Sequence, residues 1–130
     1  MDINTIAALI HSNAVEHGWW EKKRELPEII ALCHSELSEA LEEYRAGRPD
    51  EWYRCNMGMT CPCNPDCEQY LEPECPFRDP KPEGIAVELA DCIIRILDYC
   101  EHSGIDMERI LQIKHNYNKT RPCRHGNKAC

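Results

Sequence analysis

The sequence lacks any long hydrophobic run, and this absence argues against a protein whose helices span a membrane. No apolar stretch approaches the roughly 20 residues that a membrane-spanning helix requires. The N-terminal stretch MDINTIAALIHSNAVEH begins with an acid after Met1 and lacks the basic region and small-residue cleavage site of a signal peptide. We therefore expect a cytoplasmic protein with no membrane partner, whose first residues form an ordinary helix.

The sequence also lacks an alternating apolar and polar pattern of useful length, so it offers little sign of β-strands. Apolar residues recur instead at helical spacing, and this predicts an all-α fold, a four-helix bundle formed by one domain over residues 1–130. The predicted helices are 3–17, 27–46, 83–103 and 106–119. Their predicted boundaries are marked by Gly18, Gly47, Gly104 and the capping residue Asp106. The predicted core stripe of the second helix is Ile29, Ile30, Cys33, Leu37, Leu41 and Tyr44.

Between the second and third helices, residues 49–82 form a cysteine- and proline-rich insertion in which no helical period survives. We expect a long irregular segment there, and such segments are usually functional or disordered. Ten cysteines without a secretion signal make a disulfide framework a poor first interpretation. Three of the ten, on the predicted helices, are interpreted as small core residues: Cys33, Cys92 and Cys100.

The insertion spaces its cysteines as C-x5-C-x-C-x3-C-x7-C, which is compatible with a structural zinc ion but lacks the usual pair of C-x2-C knuckles. The preferred zinc ligands are Cys61, Cys63, Cys67 and Cys75, with Cys55, Cys123 or Cys130 as a substitute. Disulfides, free thiols and an iron–sulfur cluster remain alternatives.

Charge is distributed unevenly along the chain. Residues 109–130 carry six cations and no acid, whereas the whole chain has a formal net charge of −8. An acidic body argues against a nucleic-acid polymer as partner, because polymer binding favours a basic face. A cationic end suits a small, highly charged ligand, although cations near the end of a helix are also favourable without any ligand.

Two pairs of acids carry the main chemical signal. Glu36 and Glu39 lie three residues apart on the second helix, and Glu88 and Asp91 are spaced in the same way on the third. Each pair is embedded in apolar residues, so a cation is needed to offset the repulsion if the pairs converge. Oxygen-only ligands favour Mg²⁺ or Mn²⁺, and the absence of a Glu-x-x-His motif argues against a di-iron bundle. The alternative is a pair of solvated helix faces.

The last predicted helix carries a polar stripe at i, i+3, i+4 and i+7, consisting of Lys114, Tyr117, Asn118 and Arg121. Lysine and arginine in such a stripe suit phosphate oxygens. An exposed helix end is the alternative interpretation of the stripe alone.

Taken together, LCHSELSEALEEYR, KPEGIAVELADCIIRILDYC and KHNYNKTRPCRHGNK resemble the MazG-like nucleotide pyrophosphohydrolases of the all-α NTP pyrophosphatase superfamily. The resemblance covers residues 1–48 and 80–128. It implies hydrolysis of nucleoside triphosphates to monophosphates and pyrophosphate with Mg²⁺, by a homodimer or homotetramer. Gly126-Asn127 replaces the more usual Gly-Gly pair, and the insertion lengthens the interval between the acidic motifs.

The resemblance also implies roles for residues matched to its motifs. The implied Mg²⁺ ligands are Glu36, Glu39, Glu88 and Asp91, with Glu39 as the catalytic base. The implied substrate-binding residues are Trp20, Lys114, Tyr117, Asn118, Arg121, His125 and Lys128. Either Trp20 or Trp19 would stack on the base, and core anchoring is the alternative role for one of the two tryptophans. A non-catalytic module that binds a nucleotide or a protein partner through a zinc-ordered insertion is the alternative function.

Overall fold

The computed structural model describes residues 2–54 and 80–122. The described residues are predominantly helical, as the sequence predicted. The helices are α1 (Ile3–Glu16), α2 (Leu26–Arg45), α3 (Ile85–His102) and α4 (Met107–Lys119), and the strands are β1 (Trp52–Arg54) and β2 (Lys81–Glu83). The chain divides into two units: unit 1 contains Met1–Lys23 and Leu97–Cys130, and unit 2 contains Arg24–Ile96.

The helix ends follow the residues that the sequence indicated. Gly18, Gly47 and Gly104 adopt positive φ angles of 76°, 66° and 67°, a conformation that side chains with a Cβ disfavour. The Asp106 carboxylate accepts a hydrogen bond from the Arg109 amide and caps α4. The predicted boundaries are therefore confirmed to within two residues.

In unit 1, the N-termini of α1 and α4 are joined by polar contacts. Asn4 Nδ2 donates to Asp106 Oδ1 at 2.9 Å, and the Ile3 amide donates to Glu108 Oε2 at 3.2 Å. The Glu108 amide in turn donates to Asn4 Oδ1 at 3.3 Å. The backbone amides of Ile3 and Glu108 are among those that the first turn of a helix leaves without intrahelical partners.

In unit 2, α2 buries a stripe at spacings of four, three and four residues, consisting of Ile29, Cys33, Glu36 and Ala40. The predicted core stripe is right for Ile29 and Cys33. It is wrong for the others, because Ile30, Leu37, Leu41 and Tyr44 are 45–71% exposed in the single chain. Apolar residues occupy two faces of this helix, and periodicity does not distinguish the face that the chain itself buries.

The two strands form an antiparallel ribbon in which Trp52 is opposite Glu83. Trp52 is 2% exposed, and its Nε1 donates to Glu43 Oε2 on α2 at 2.8 Å. The prediction of an insertion irregular throughout 49–82 is therefore wrong at both ends, where three-residue strands pair.

Within residues 2–54 and 80–122, no helix is both long enough and apolar enough to cross a membrane.

Candidate metal centre

Glu36, one of the four predicted metal ligands, lies in the buried stripe of α2. Cys33 lies one turn before it and Ala40 one turn after it, and all three are less than 8% exposed. A carboxylate in such a stripe has lost most of its water, which is costly unless another group offsets the charge. The charge of Glu36 therefore requires a nearby group that offsets it.

Glu88 and Asp91 reach the same place from the start of α3. Gly84, immediately before the helix, has a φ of 112°, and a Cβ there would lie 2.6 Å from the backbone oxygen of Asp50. The Asp50 oxygen also accepts from the Ala86 amide at 2.9 Å. Close backbone contact of this kind fixes the chain direction as α3 begins, and with it the placement of the first turn.

The three side chains converge. One carboxylate oxygen each from Glu36, Glu88 and Asp91 lies within 4.8 Å of the other two. Oxygen ligands at about 2.1 Å from Mg²⁺ in octahedral geometry are roughly 3–4 Å apart, so these three residues would be able to hold such an ion after a small movement of their side chains. We refer to Glu36, Glu88 and Asp91 as the acidic triad.

Glu39, the fourth predicted ligand, lies beside the triad rather than in it. It is solvent-exposed, and Ser35 Oγ donates to its Oε1 at 3.3 Å. Its charge nevertheless acts on the triad, since it helps to raise the pKa of Glu88. The structure thus groups three of the four predicted ligands and leaves the fourth at the edge.

Two cations offset part of the charge. Arg95 Nε donates to Glu36 Oε1 at 2.5 Å, one turn beyond Asp91 on α3. Burial and the charge of Glu36 raise the pKa of Asp91, whereas Arg95 and Lys81 oppose the increase. The local compensation is incomplete, because burial and the other carboxylates still leave the Asp91 pKa above its ordinary value.

Glu88 is the least compensated member. It is 6% exposed, and no donor among residues 2–54 and 80–122 forms a hydrogen bond or ion pair with its carboxylate. Burial raises the pKa of Glu88, and the nearby carboxylates, including those of Glu39 and Asp91, raise it further. A carboxylate that lies close to two others on a residue only 6% exposed, with no donor among the described residues, is the arrangement that a bound cation stabilises.

A thiol pair adjoins the triad. Cys33 and Cys92 are buried and both are free, and the two thiols are close enough for Cys92 to act on the pKa of Cys33. Burial, followed by the neighbouring Cys92, raises the pKa of Cys33, which disfavours the thiolate that a soft metal requires. Together with buried Cys100, these side chains confirm the prediction of small core cysteines.

The predicted phosphate-binding stripe lies on α4, in unit 1. Lys114, Tyr117 and Asn118 are exposed, and Arg121 is half-buried just beyond the helix. Lys114 Nζ lies 5.2 Å from the centre of the Tyr117 ring, a cation–π contact between two members of the stripe.

Trp20, the predicted base-stacking residue, lies in a polar cluster that sequence patterns did not indicate. Its Nε1 donates to both Asp98 oxygens, at 2.9 and 3.1 Å, and its ring stacks on His102 with centroids 3.7 Å apart. His11 Nδ1 lies 2.6 Å from Asp98 Oδ1. The only signal in the sequence was a single acid, Asp98, inside an apolar part of α3.

Several predicted residues lie outside the described part of the chain. They are the zinc candidates Cys55, Cys61, Cys63, Cys67, Cys75, Cys123 and Cys130, and the substrate-binding candidates His125 and Lys128.

No protein-family model, curated protein or solved structure matches the chain. The resemblance to MazG-like enzymes therefore stays a prediction based on the three quoted motifs.

Proposed function

We propose that the protein is a Mg²⁺-dependent nucleoside triphosphate pyrophosphohydrolase, which converts a (d)NTP to a (d)NMP and pyrophosphate. The observation that carries the proposal is Glu88, a residue only 6% exposed whose carboxylate lies in an acidic triad and has no donor among the described residues. A hard divalent cation offsets that charge and is commonly shared with substrate phosphates. The order of the acidic and cationic motifs supports the choice of a triphosphate as substrate.

Glu36, Glu88 and Asp91 would hold Mg²⁺ or Mn²⁺, and Glu39 is the proposed fourth ligand or base. When bound, the ion supplies neutralisation of developing phosphate charge and activation of a water molecule. Oxygen donors suit both ions, which require no thiolate or imidazole.

Glu39 is the proposed general base, because its carboxylate is exposed beside the triad. It accepts a proton from the water that attacks the α-phosphorus. A new bond forms between the water oxygen and the α-phosphorus, and the bond from the α-phosphorus to the bridging oxygen breaks. Pyrophosphate leaves with that oxygen.

The α4 stripe is proposed to bind the phosphates and sugar, with Lys114 as a point charge and Arg121 as a fork. Asn118 and Tyr117 would support them, and His125 and Lys128 are proposed to close over the phosphates. Trp20 is proposed to stack on the base through the ring face opposite His102, because His102 covers the other face.

A homodimer or homotetramer is the proposed assembly. In unit 2, α2 and α3 expose large apolar side chains at helical spacing, including Leu37, Leu41, Leu89 and Ile93, each 44–56% exposed. Exposed apolar faces of this kind are typical of subunit interfaces. A second copy of the chain is the proposed partner for these faces.

Zinc in the insertion is a separate proposal, which metal analysis of the purified protein tests.

The test is incubation with each NTP and dNTP plus Mg²⁺, followed by chromatographic separation of the products. We expect a monophosphate and pyrophosphate from at least one substrate. Glu88→Gln should abolish turnover, whereas Glu42→Gln, a matched change at an exposed glutamate on α2, should leave it unchanged.

Three results would contradict the proposal: no turnover across the panel, release of orthophosphate alone, or normal turnover by Glu88→Gln. Tight nucleotide binding without hydrolysis would instead favour the alternative function, a non-catalytic binding module.

A further inference from the structure

We propose that Lys81 and Arg54, on the β1–β2 ribbon, bind phosphate oxygens of the metal-bound triphosphate beside the acidic triad. The inference rests on the proposed function, which takes its phosphate-binding cations from α4 and the residues after it. It adds two cations from unit 2, the unit that contains the triad.

The strand register places the two cations side by side. Lys81 is directly opposite Arg54 in the antiparallel ribbon. Residues opposite one another in such a pair project from the same face, and like charges at these positions repel. For the ribbon alone the arrangement is therefore unfavourable, whereas an anion that contacts both side chains favours it.

Glu83 holds both cations in place without occupying all their donors. Its Oε1 lies 3.0 Å from Lys81 Nζ and 3.4 Å from Arg54 Nε, and these cationic side chains are 62% and 51% exposed. One carboxylate charge against two cations leaves an excess of one positive charge. An ammonium group has three N–H donors and a guanidinium has five. Neither side chain therefore has to leave Glu83 in order to donate to a phosphate oxygen.

The ribbon leads directly into the part of α3 that carries two members of the triad. Gly84 follows Glu83, and its backbone oxygen accepts from the Glu88 amide at 3.1 Å. The charge of Lys81 is close enough to act on Asp91. A Mg²⁺ ion held by carboxylates commonly takes substrate phosphates as further ligands. Cations beside that ion are suited to the phosphate oxygens that the ion does not bind.

The charge of Lys81 should have opposite effects on two ligands of the triad. It repels a bare divalent cation, whereas it attracts the negative charge of a triphosphate. Loss of this charge should therefore weaken the binding of a metal–triphosphate complex without weakening the binding of the metal alone. A lysine that only stabilises the ribbon would instead support the binding of both ligands.

The test combines two calorimetric titrations of the full chain. The first ligand is Mn²⁺ alone, and the second is the α,β-methylene analogue of the triphosphate that the wild type hydrolyses, in saturating Mg²⁺. Lys81→Gln and Arg54→Gln should each bind the analogue roughly tenfold more weakly, because each loses a hydrogen bond to a charged group. Both variants should bind Mn²⁺ at least as tightly as the wild type.

Two further variants serve as controls. Lys81→Arg retains the charge and the donors, and it should retain most of the affinity for the analogue. Arg45→Gln removes a cation that is 63% exposed and paired with Glu42 on α2, and it should leave both affinities unchanged.

Unchanged affinity for the analogue in either Lys81→Gln or Arg54→Gln would overturn the inference. Loss of both Mn²⁺ and analogue binding would overturn it as well, because that result is expected of a purely structural role. An equal weakening by Arg45→Gln would attribute the effect to net charge and would also overturn it. A wild type that binds Mn²⁺ but not the analogue, or neither ligand, would contradict the proposed function itself.

Discussion

Glu83 and Glu88 are both buried, yet their carboxylates have opposite surroundings. Glu83 is 5% exposed and pairs with Lys81 at 3.0 Å and Arg54 at 3.4 Å. Glu88 is 6% exposed and is surrounded by other carboxylates. The described residues thus offset the charge of Glu83 but supply no cation or hydrogen-bond donor to Glu88.

This difference predicts how metal-free protein responds to pH. Burial and nearby carboxylates raise the pKa of Glu88 above 4.5, so the folded state binds its proton more tightly than the unfolded state does. The stability of the metal-free wild type should therefore decrease, through this group, as the pH rises above about 4.5 towards the raised pKa. Glu88→Gln lacks the charge and should escape the decrease.

The measurement is a set of thermal melts in chelator from pH 4 to pH 8, with Glu42→Gln as the control. We expect the melting temperature of Glu88→Gln to exceed that of the wild type by a margin that grows with pH, and Glu42→Gln to follow the wild type. Mg²⁺ should stabilise only chains with an intact triad. In its presence the wild type should therefore melt at a higher temperature than Glu88→Gln. A constant difference at all pH values would contradict the electrostatic explanation.

At the scale of elements, the ribbon and the start of α3 form one connected structure. Gly84 follows β2 directly, and its oxygen accepts from the Glu88 amide at 3.1 Å. Each strand has only three residues, and the middle residue of β2 is Pro82. No alternating pattern was therefore long enough to predict the ribbon. Its existence depends on long-range pairing and on the buried Trp52, which periodicity does not reveal.

Gly84→Ala should destabilise the protein by roughly 2 kcal/mol or more, because positive φ and backbone contact both disfavour a Cβ. Gly47→Ala is the matched control: its φ is 66°, and nothing lies within 4 Å of the added Cβ. The control should cost only about 1 kcal/mol, from backbone strain alone. Urea unfolding provides the measurement, and equal losses for the two variants would show that the contact with Asp50 is unimportant.

Helix ends could be predicted well because a glycine or a capping acid determines them locally. The acidic triad was also predictable in outline, since spacing placed each pair on one helical face. The contact between Arg95 and Glu36 was not, because it joins residues 59 positions apart. For the same reason, the approach of His11 and Trp20 to Asp98 is visible only in the folded chain.

At the scale of the whole molecule, the exposed apolar side chains of α2 and α3 are the main feature that a single chain leaves unexplained. The sequence assigned Leu37 and Leu41 to the core, and their exposure is consistent with burial against another subunit. The same apolar pattern fits burial in the core of one chain and burial between two subunits. A measurement of the oligomeric state distinguishes these two arrangements.

Light scattering coupled to size-exclusion chromatography should give the mass of a dimer or tetramer for the wild type. Ile93→Glu, at a position 56% exposed in the single chain, should shift the protein towards the monomer by burying a charge at the interface. Leu9→Glu, at a position 59% exposed on α1, should leave the mass unchanged. A monomeric wild type would exclude the proposed assembly.

Calorimetric titration with Mn²⁺ in the absence of nucleotide measures whether the acidic triad binds a divalent cation. We expect one saturable site per chain in the wild type and in Glu42→Gln, and loss of that site in Glu88→Gln. Wild-type protein that binds no Mn²⁺, or a Glu88→Gln variant that binds it with unchanged affinity, would contradict the claim.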